Sequence, residues 1–123
     1  MSHTTVNCIT PFLPAKDFDL SLRFYKDLGF IEVAKIDNAV RLEMNGNSFW
    51  LQDYYIEEWA NNTMLCLYLD DLAAWWKDVK AINIAENYEG KAKVFAEPHG
   101  QEGGQMMQIG DPAGVLWHIR EGN

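Results

Sequence analysis

The feature that most limits how this chain can fold is that it repeats itself. The stretches "DFDLSLRFYKDLGF" and "DDLAAWWKDVKAINI" align at a constant offset of 54 residues. Asp17 then matches Asp71, Phe18 matches Leu72, Arg23 matches Lys77, Lys26 matches Lys80, Leu28 matches Ile82 and Gly29 matches Asn83, with Phe24 against Asp78 as the plain mismatch. Such self-similarity marks two copies of one supersecondary unit, so the fold has to be built from a unit that occurs twice.

Each copy reads as a helix with its own start and stop. Asp17 and Asp71 are N-cap residues whose carboxylates can accept from the first free N–H groups. Phe18, Ser21, Leu22, Tyr25 and Leu28 form the inward stripe of the first helix, and Leu72, Trp75, Trp76, Val79 and Ile82 that of the second. Gly29 and Asn83 tolerate the left-handed exit. The same offset lays the strand-like "CITPFLPA" on "TMLCLYLD", placing Thr10 opposite Met64.

Farther along, "NGNSFWLQ" matches "AGVLWHIR" at an offset of 68, with Gly46 on Gly114, Phe49 on Trp117 and Trp50 on His118. The offset has grown by 14, which places the extra residues in the polar, glycine-bearing segment Glu86 to Gln105. "AVRLEMNG" alternates as a strand and "SFWLQDY" follows an Asn45-Gly46 or Gly46-Asn47 hairpin turn; "GQMMQIGD" leads into the Pro112 to Gly114 turn. Each half is therefore strand, helix, then two or three antiparallel strands. No composition break marks a linker, so repeat one (about 5–58) and repeat two (about 61–122) belong to a single α+β domain of 123 residues.

Alternation sorts the strand residues by face. Val40, Leu42, Met44, Phe49, Leu51, Leu65, Leu67, Met107, Ile109, Val115, Trp117 and Ile119 are expected under the helices, with Trp75 and Trp76 also in the core. The opposite face then carries Thr10, Phe12, Arg41, Glu43, Trp50, Gln52, Met64, Cys66, Tyr68, Met106, Gln108, Leu116, His118 and Arg120. That mixture of aromatic and polar groups with few charges suits the wall of a ligand cleft.

Charge and composition narrow the function classes. A net charge of −8 with only 10 Lys and Arg excludes the basic stripe of a nucleic-acid binder, and favours a cationic small molecule or simple solubility. Cys8 and Cys66 lie in apolar runs with no CxxC pair, so two reduced, buried thiols are expected. No apolar stretch approaches the ~20 residues of a membrane span, and "MSHTTVN" lacks a signal-peptide core, so a cytoplasmic protein without a membrane partner is expected. "GQEGGQ" has neither the Lys-Ser/Thr end of a P-loop nor a helix behind it.

Three stretches, "PFLPAKDFDLSLRFYKDLGF", "LYLDDLAAWWKDVKAINI" and "GGQMMQIGDPAGVLWHI", come in an order that resembles the vicinal oxygen chelate, or glyoxalase, superfamily. Within it the likeness is to bleomycin-resistance proteins. The resemblance implies paired βαβββ units whose strands form a curved mixed sheet around a cleft, and a homodimer with the cleft between subunits. It also implies sequestration of a bleomycin-like, cationic or aromatic drug without turnover. Metal-dependent members take their ligands from positions that correspond here to Thr10, Trp50, Met64 and His118.

Only His118 of those four is a good ligand for a divalent ion. A catalytic zinc site needs three protein ligands and a non-haem iron site two His and a carboxylate, so no metal, no cofactor and no metal-dependent catalysis are expected. His3 lies near the terminus and His99 in an expected loop with Gly100. A Cys66/His118 pair could activate a thiolate, but no third group to orient the imidazole can be named, and a strand cysteine is more often a small apolar residue. Glu43 as a general base competes with its commoner role as a solvated charge.

What remains is binding. Trp50 and Tyr68 are rings not required by the core, and Trp59 in "DYYIEEWANN" is either a cleft-rim residue or a seal between subunits. Rings of this kind stack on heteroaromatic ligands and attract cations. The neighbouring Asp53, Glu57 and Glu58 either receive a positive ligand or are simply solvated. The expected ligand-binding set is Phe12, Arg41, Trp50, Gln52, Trp59, Met64, Cys66, Tyr68, Met106, Gln108, His118 and Arg120. The second reading is a lyase or dioxygenase of the same superfamily with an altered metal site.

Overall fold

The computed structural model describes residues 3–101 and 104–122. Glu102 and Gly103, inside the segment expected to hold the extra residues, lie outside the described residues, as do Met1, Ser2 and Asn123.

The duplication appears as two sheets of the same topology. The first module contains β1 (Phe12–Pro14), α1 (Phe18–Leu28), β2 (Ile31–Ile36), β3 (Ala39–Met44) and β4 (Asn47–Gln52). A short helix, α2 (Glu57–Asn61), leads to β5 (Met64–Leu69), α3 (Leu72–Ile82), α4 (Ile84–Asn87), β6 (Lys93–Gln101), β7 (Gly104–Gly110) and β8 (Leu116–Glu121). Strand order is β1-β4-β3-β2 in one sheet and β5-β8-β7-β6 in the other. In each, the first strand runs parallel to the last and the other neighbours are antiparallel.

Local signals set the helix limits. Asp17 Oδ1 accepts from the Leu20 N–H and Asp71 Oδ1 from the Ala74 N–H, so both aspartates cap as expected. Gly29 (φ 114°) and Asn83 (φ 54°) make the left-handed exits. Behind Gly29, the Gly29 N–H donates to Lys26 O and the Phe30 N–H to Tyr25 O, which closes the end of α1 and turns Phe30 into the core. Asn45 and Gly46 both have positive φ, so of the two possible hairpin turns the chain uses Asn45-Gly46, the pair suited to the twist of β3 and β4.

The helix-facing sides of the strands build the core as alternation predicts. Val40, Leu42, Phe49, Leu51, Met107, Ile109, Val115, Trp117 and Ile119 are buried, while Met44, Leu65 and Leu67 are half-buried. Phe24, the mismatch in the repeat, is fully buried: it meets Tyr25 and Tyr88 edge to face. Trp75 and Trp76 only flank the core.

Several expectations are corrected. Cys8 and Cys66 are exposed, because Cys8 precedes the short β1 and Cys66 points outward from an edge strand. The "CITPFLPA" strand shrinks to Phe12–Pro14. Met106, although on the outward face, is only 8% exposed. His99 stands within β6 rather than in a loop, opposite Met106.

Part of the added segment is structural. α4 and its exit bury Ile84, Tyr88 and Ala92. The Tyr88 hydroxyl donates to Asp27, the Arg23 guanidinium lies 4.6 Å from its ring centre, and Arg23 Nη2 donates to Asn87 O at 2.7 Å. Burial and the Asp27 carboxylate push the Tyr88 phenol up to about 12.

A buried polar cluster also joins the two modules. Tyr25 of α1 donates its hydroxyl to Asp111 Oδ2 at 2.5 Å and accepts from Trp117 Nε1 at 3.0 Å. Asp111 Oδ1 accepts from the Ala113 and Val115 N–H groups, both at 2.9 Å, and so shapes the Asp-Pro-Ala-Gly turn. Phe30 and Phe49 pack edge to face on Tyr25, and Trp117 leans on all three rings.

Burial outweighs these donors and raises the Asp111 carboxyl to about 6. A carboxyl raised on folding contributes stability below its unfolded pKa and loses it as pH rises through about 6. Unfolding in urea is therefore expected to show stability falling between about pH 4 and pH 6 and levelling off above, with up to about 3 kcal/mol from this group. Asp111→Asn, neutral at every pH, is expected to flatten that slope; an unchanged slope would assign the dependence elsewhere. Ser21 Oγ is buried without a hydrogen-bond partner, so Ser21→Ala is expected to leave stability unchanged or raise it by about 1 kcal/mol in the same assay.

Candidate functional site

The outward faces of the two sheets carry matching rows of side chains. In the first sheet, register places Phe12 beside Trp50 and Trp50 beside Arg41. The Phe12 and Trp50 rings stack at 5.9 Å between centres with an interplanar angle of 15°. Arg41 is held by Nε donating to Ser48 Oγ at 3.0 Å and Nη2 to Cys8 Sγ at 3.6 Å. Gln52 stands one step along the same face, opposite Ala39 and Pro14.

In the second sheet, Cys66, His118 and Gln108 lie side by side across β5, β8 and β7, and Tyr68, Arg120 and Met106 form the next row. Gln108 Nε2 and His118 Nδ1 are 3.2 Å apart, so the amide fixes the plane of the imidazole. This is the orienting partner that the sequence alone did not reveal. It lies on the side away from Cys66, on β7 rather than β5. The Cys66 thiol beside Tyr68 pushes that phenol up from its ordinary value.

Eleven of the twelve expected binding residues lie on these two faces, and Trp59 does not. It is half-buried on α2, with its ring tilted against Tyr54 at 6.3 Å. Met64 (64% exposed), Tyr68 (52%) and Phe12 (43%) leave the faces apolar and open.

A groove runs along β5, between that strand and the β3–β4 hairpin. It consists of adjoining cavities of about 300 and 320 Å³ that share Phe30, Asn47, Leu67 and Tyr68. Cys66 lines one of them together with Phe49 and Trp117, and Trp75 lines the other. Sequence reasoning missed Phe30, Asn47 and Trp75 here. It assigned Phe30 and Trp75 to helix packing and Asn47 to a turn. β5 is the edge of its sheet, so its inward leucines and the rings opposite stay partly uncovered. The parallel β1-like position of "TMLCLYLD" was the only available sign.

The positions at which metal-dependent superfamily members place their ligands do not form a donor set. Thr10 precedes β1, Trp50 is stacked on Phe12, Met64 offers a thioether, and His118 has Nδ1 engaged by Gln108. Among the described residues no three His, Cys, Asp or Glu side chains converge as ligands. One imidazole with a hydroxyl, an indole and a thioether supplies no negative charge for a divalent ion. The geometry instead offers flat rings, an oriented imidazole, two amides and two guanidinium groups around open apolar surface, which are means of binding.

No protein-family model matches the chain. It is 32% identical over 113 residues to a bleomycin resistance protein of Klebsiella pneumoniae, covering 89% of this chain and 88% of that protein. Two solved structures cover 96% of it: a bleomycin-binding protein complexed with bleomycin (30% identity, TM-score 0.77, 100% of that chain) and a bleomycin resistance determinant encoded on the transposon Tn5 (29% identity, TM-score 0.79, 99% of that chain). Lactoylglutathione lyase from Agrobacterium tumefaciens shares the fold at 22% identity and TM-score 0.67 over 96% of both chains. With its two βαβββ modules and this likeness along nearly its whole length, the chain belongs to the bleomycin-resistance proteins of the vicinal oxygen chelate superfamily.

Proposed function

We propose that this protein protects by binding: it sequesters a bleomycin-like, cationic or aromatic drug and releases it unchanged. The observation that carries this reading is the pair of outward rows, Phe12–Trp50–Arg41 and Cys66–His118–Gln108, which offer stacking and hydrogen-bonding surface without a set of metal donors. Tyr68, Arg120, Met106, Gln52 and Met64 extend those faces, and Trp59 with Glu57 and Glu58 on α2 is assigned to the rim. Sequestration needs only tight binding at sufficient protein concentration. Among the described residues no metal-donor set supports the enzymatic alternative.

The working form is proposed to be a cytoplasmic homodimer, each subunit being one domain of two repeats. Support comes from exposed apolar side chains on two edge strands and ahead of one: Val6 and Ile9 before β1, Phe12 in it, and Met64 and Tyr68 in β5. A second subunit over these surfaces would convert two open faces into walled clefts. Sedimentation is expected to give the mass of two chains; a monomer that still binds drug tightly would remove the between-subunit cleft.

Calorimetric titration with bleomycin is expected to show saturable binding with no change in the recovered drug. Binding no tighter than that of an unrelated acidic protein would sink the proposal. Trp50→Ala is expected to weaken binding about 2- to 30-fold, the loss of one aromatic contact of about 0.5–2 kcal/mol, without a matching loss of Tm. Protein purified without added metal is expected to bind the drug equally before and after EDTA.

A further inference from the structure

A second groove lies where the two modules meet at the Asp-Pro-Ala-Gly turn, formed by residues unrelated to the outward rows. It comprises cavities of about 260 and 440 Å³ that share Lys16, Lys91 and Pro112. Lys16 comes from the β1–α1 connection and Lys91 from the turn after α4; Lys93 at the start of β6 adds a third ammonium group. Three of the chain's 10 basic residues thus face one groove of a protein with 18 acidic residues. Among the described residues Lys16 and Lys93 form no ion pair.

Two carboxylates, Asp17 and Asp111, also line the groove, and each is held by hydrogen bonds within the chain. Asp17 caps α1 through the Leu20 N–H, and Glu89 lies 3.9 Å from Lys91 at the exposed border. Asp111, which lines the groove from its floor, receives the Tyr25 hydroxyl and the Ala113 and Val115 N–H groups and is 1% exposed.

Two rings complete the walls. Lys16 Nζ sits 5.4 Å from the Tyr55 ring centre. Phe95 is 61% exposed, and its ring lies across Gly110 so closely that a Cβ there would fall 2.6 Å from Phe95 Cε2. An apolar ring held in water beside three ammonium groups presents a surface for a flat ligand and charges for an anion.

From this juxtaposition we infer that the groove binds an aromatic anion, a ring bearing a carboxylate or phosphate, the charge opposite to that of the drug proposed for the outward faces. The ring lies against Phe95 and Tyr55 while Lys16, Lys91 and Lys93 surround the anionic group. The site is independent of the drug-binding faces.

The test is titration of the full chain with phenyl phosphate, benzoate and inorganic phosphate, followed by amide chemical shifts and calorimetry. Saturable shifts at the Gly90, Gly110 and Gly114 amides are expected, with phenyl phosphate bound about tenfold tighter than inorganic phosphate. Lys16→Ala/Lys93→Ala is expected to weaken both by about tenfold or more at unchanged Tm. Phe95→Ala is expected to abolish the preference for the aromatic anions. Non-saturating shifts spread over all lysines, or a double variant that binds as the parent does, would overturn the inference.

Discussion

The hydroxyl of Tyr25 carries more of this structure than any other single group. It donates to Asp111 and accepts from Trp117, residues 86 and 92 positions away in the chain, and so ties the helix of one module to the turn and last strand of the other. Each module alone would expose one side of its aromatic core. Tyr25, Phe30, Phe49 and Trp117 close that side jointly, with edge-to-face contacts that fix how the rings meet. A buried carboxylate in such surroundings persists because its oxygens are fully hydrogen-bonded.

The position of the groove and of the outward rows follows from this junction. With helices and aromatic core on one side, the other sides of both sheets stay largely open among the described residues. The side chains left there are rings, amides, one imidazole and guanidinium groups. Trp50 and His118 occupy equivalent places in the two repeats yet differ in chemistry: the indole stacks on Phe12, while the imidazole is oriented by Gln108. The duplication supplies symmetric positions, and divergence of the side chains makes the surface they form asymmetric.

Much of the fold was legible in the chain because its signals are local or periodic. Asp17 and Asp71 cap, Gly29 and Asn83 exit, Asn45-Gly46 turns, and alternating apolar residues along β3, β4, β7 and β8 name their own buried side. The outward list was legible for the same reason. Where the reading failed, the missing information was position in the sheet. Cys66 and Leu67 sit on a strand with one free edge, Met106 is covered despite facing outward, and Tyr88 fills the core from a segment whose composition looks like a surface loop.

The sequence by itself determined that a unit of strand, helix and antiparallel strands occurs twice, where α1 and α3 begin and end, and which strand residues share a face. These depend on neighbours within a few positions and on a period of two or 3.6 residues. Only the tertiary structure decided that Gln108 orients His118, that Asp111 is buried under Tyr25, and that Lys16, Lys91 and Lys93 face one groove. Those pairings join residues from different elements, and their geometry is set by how the two modules pack, for which no local pattern in the chain provides a signal.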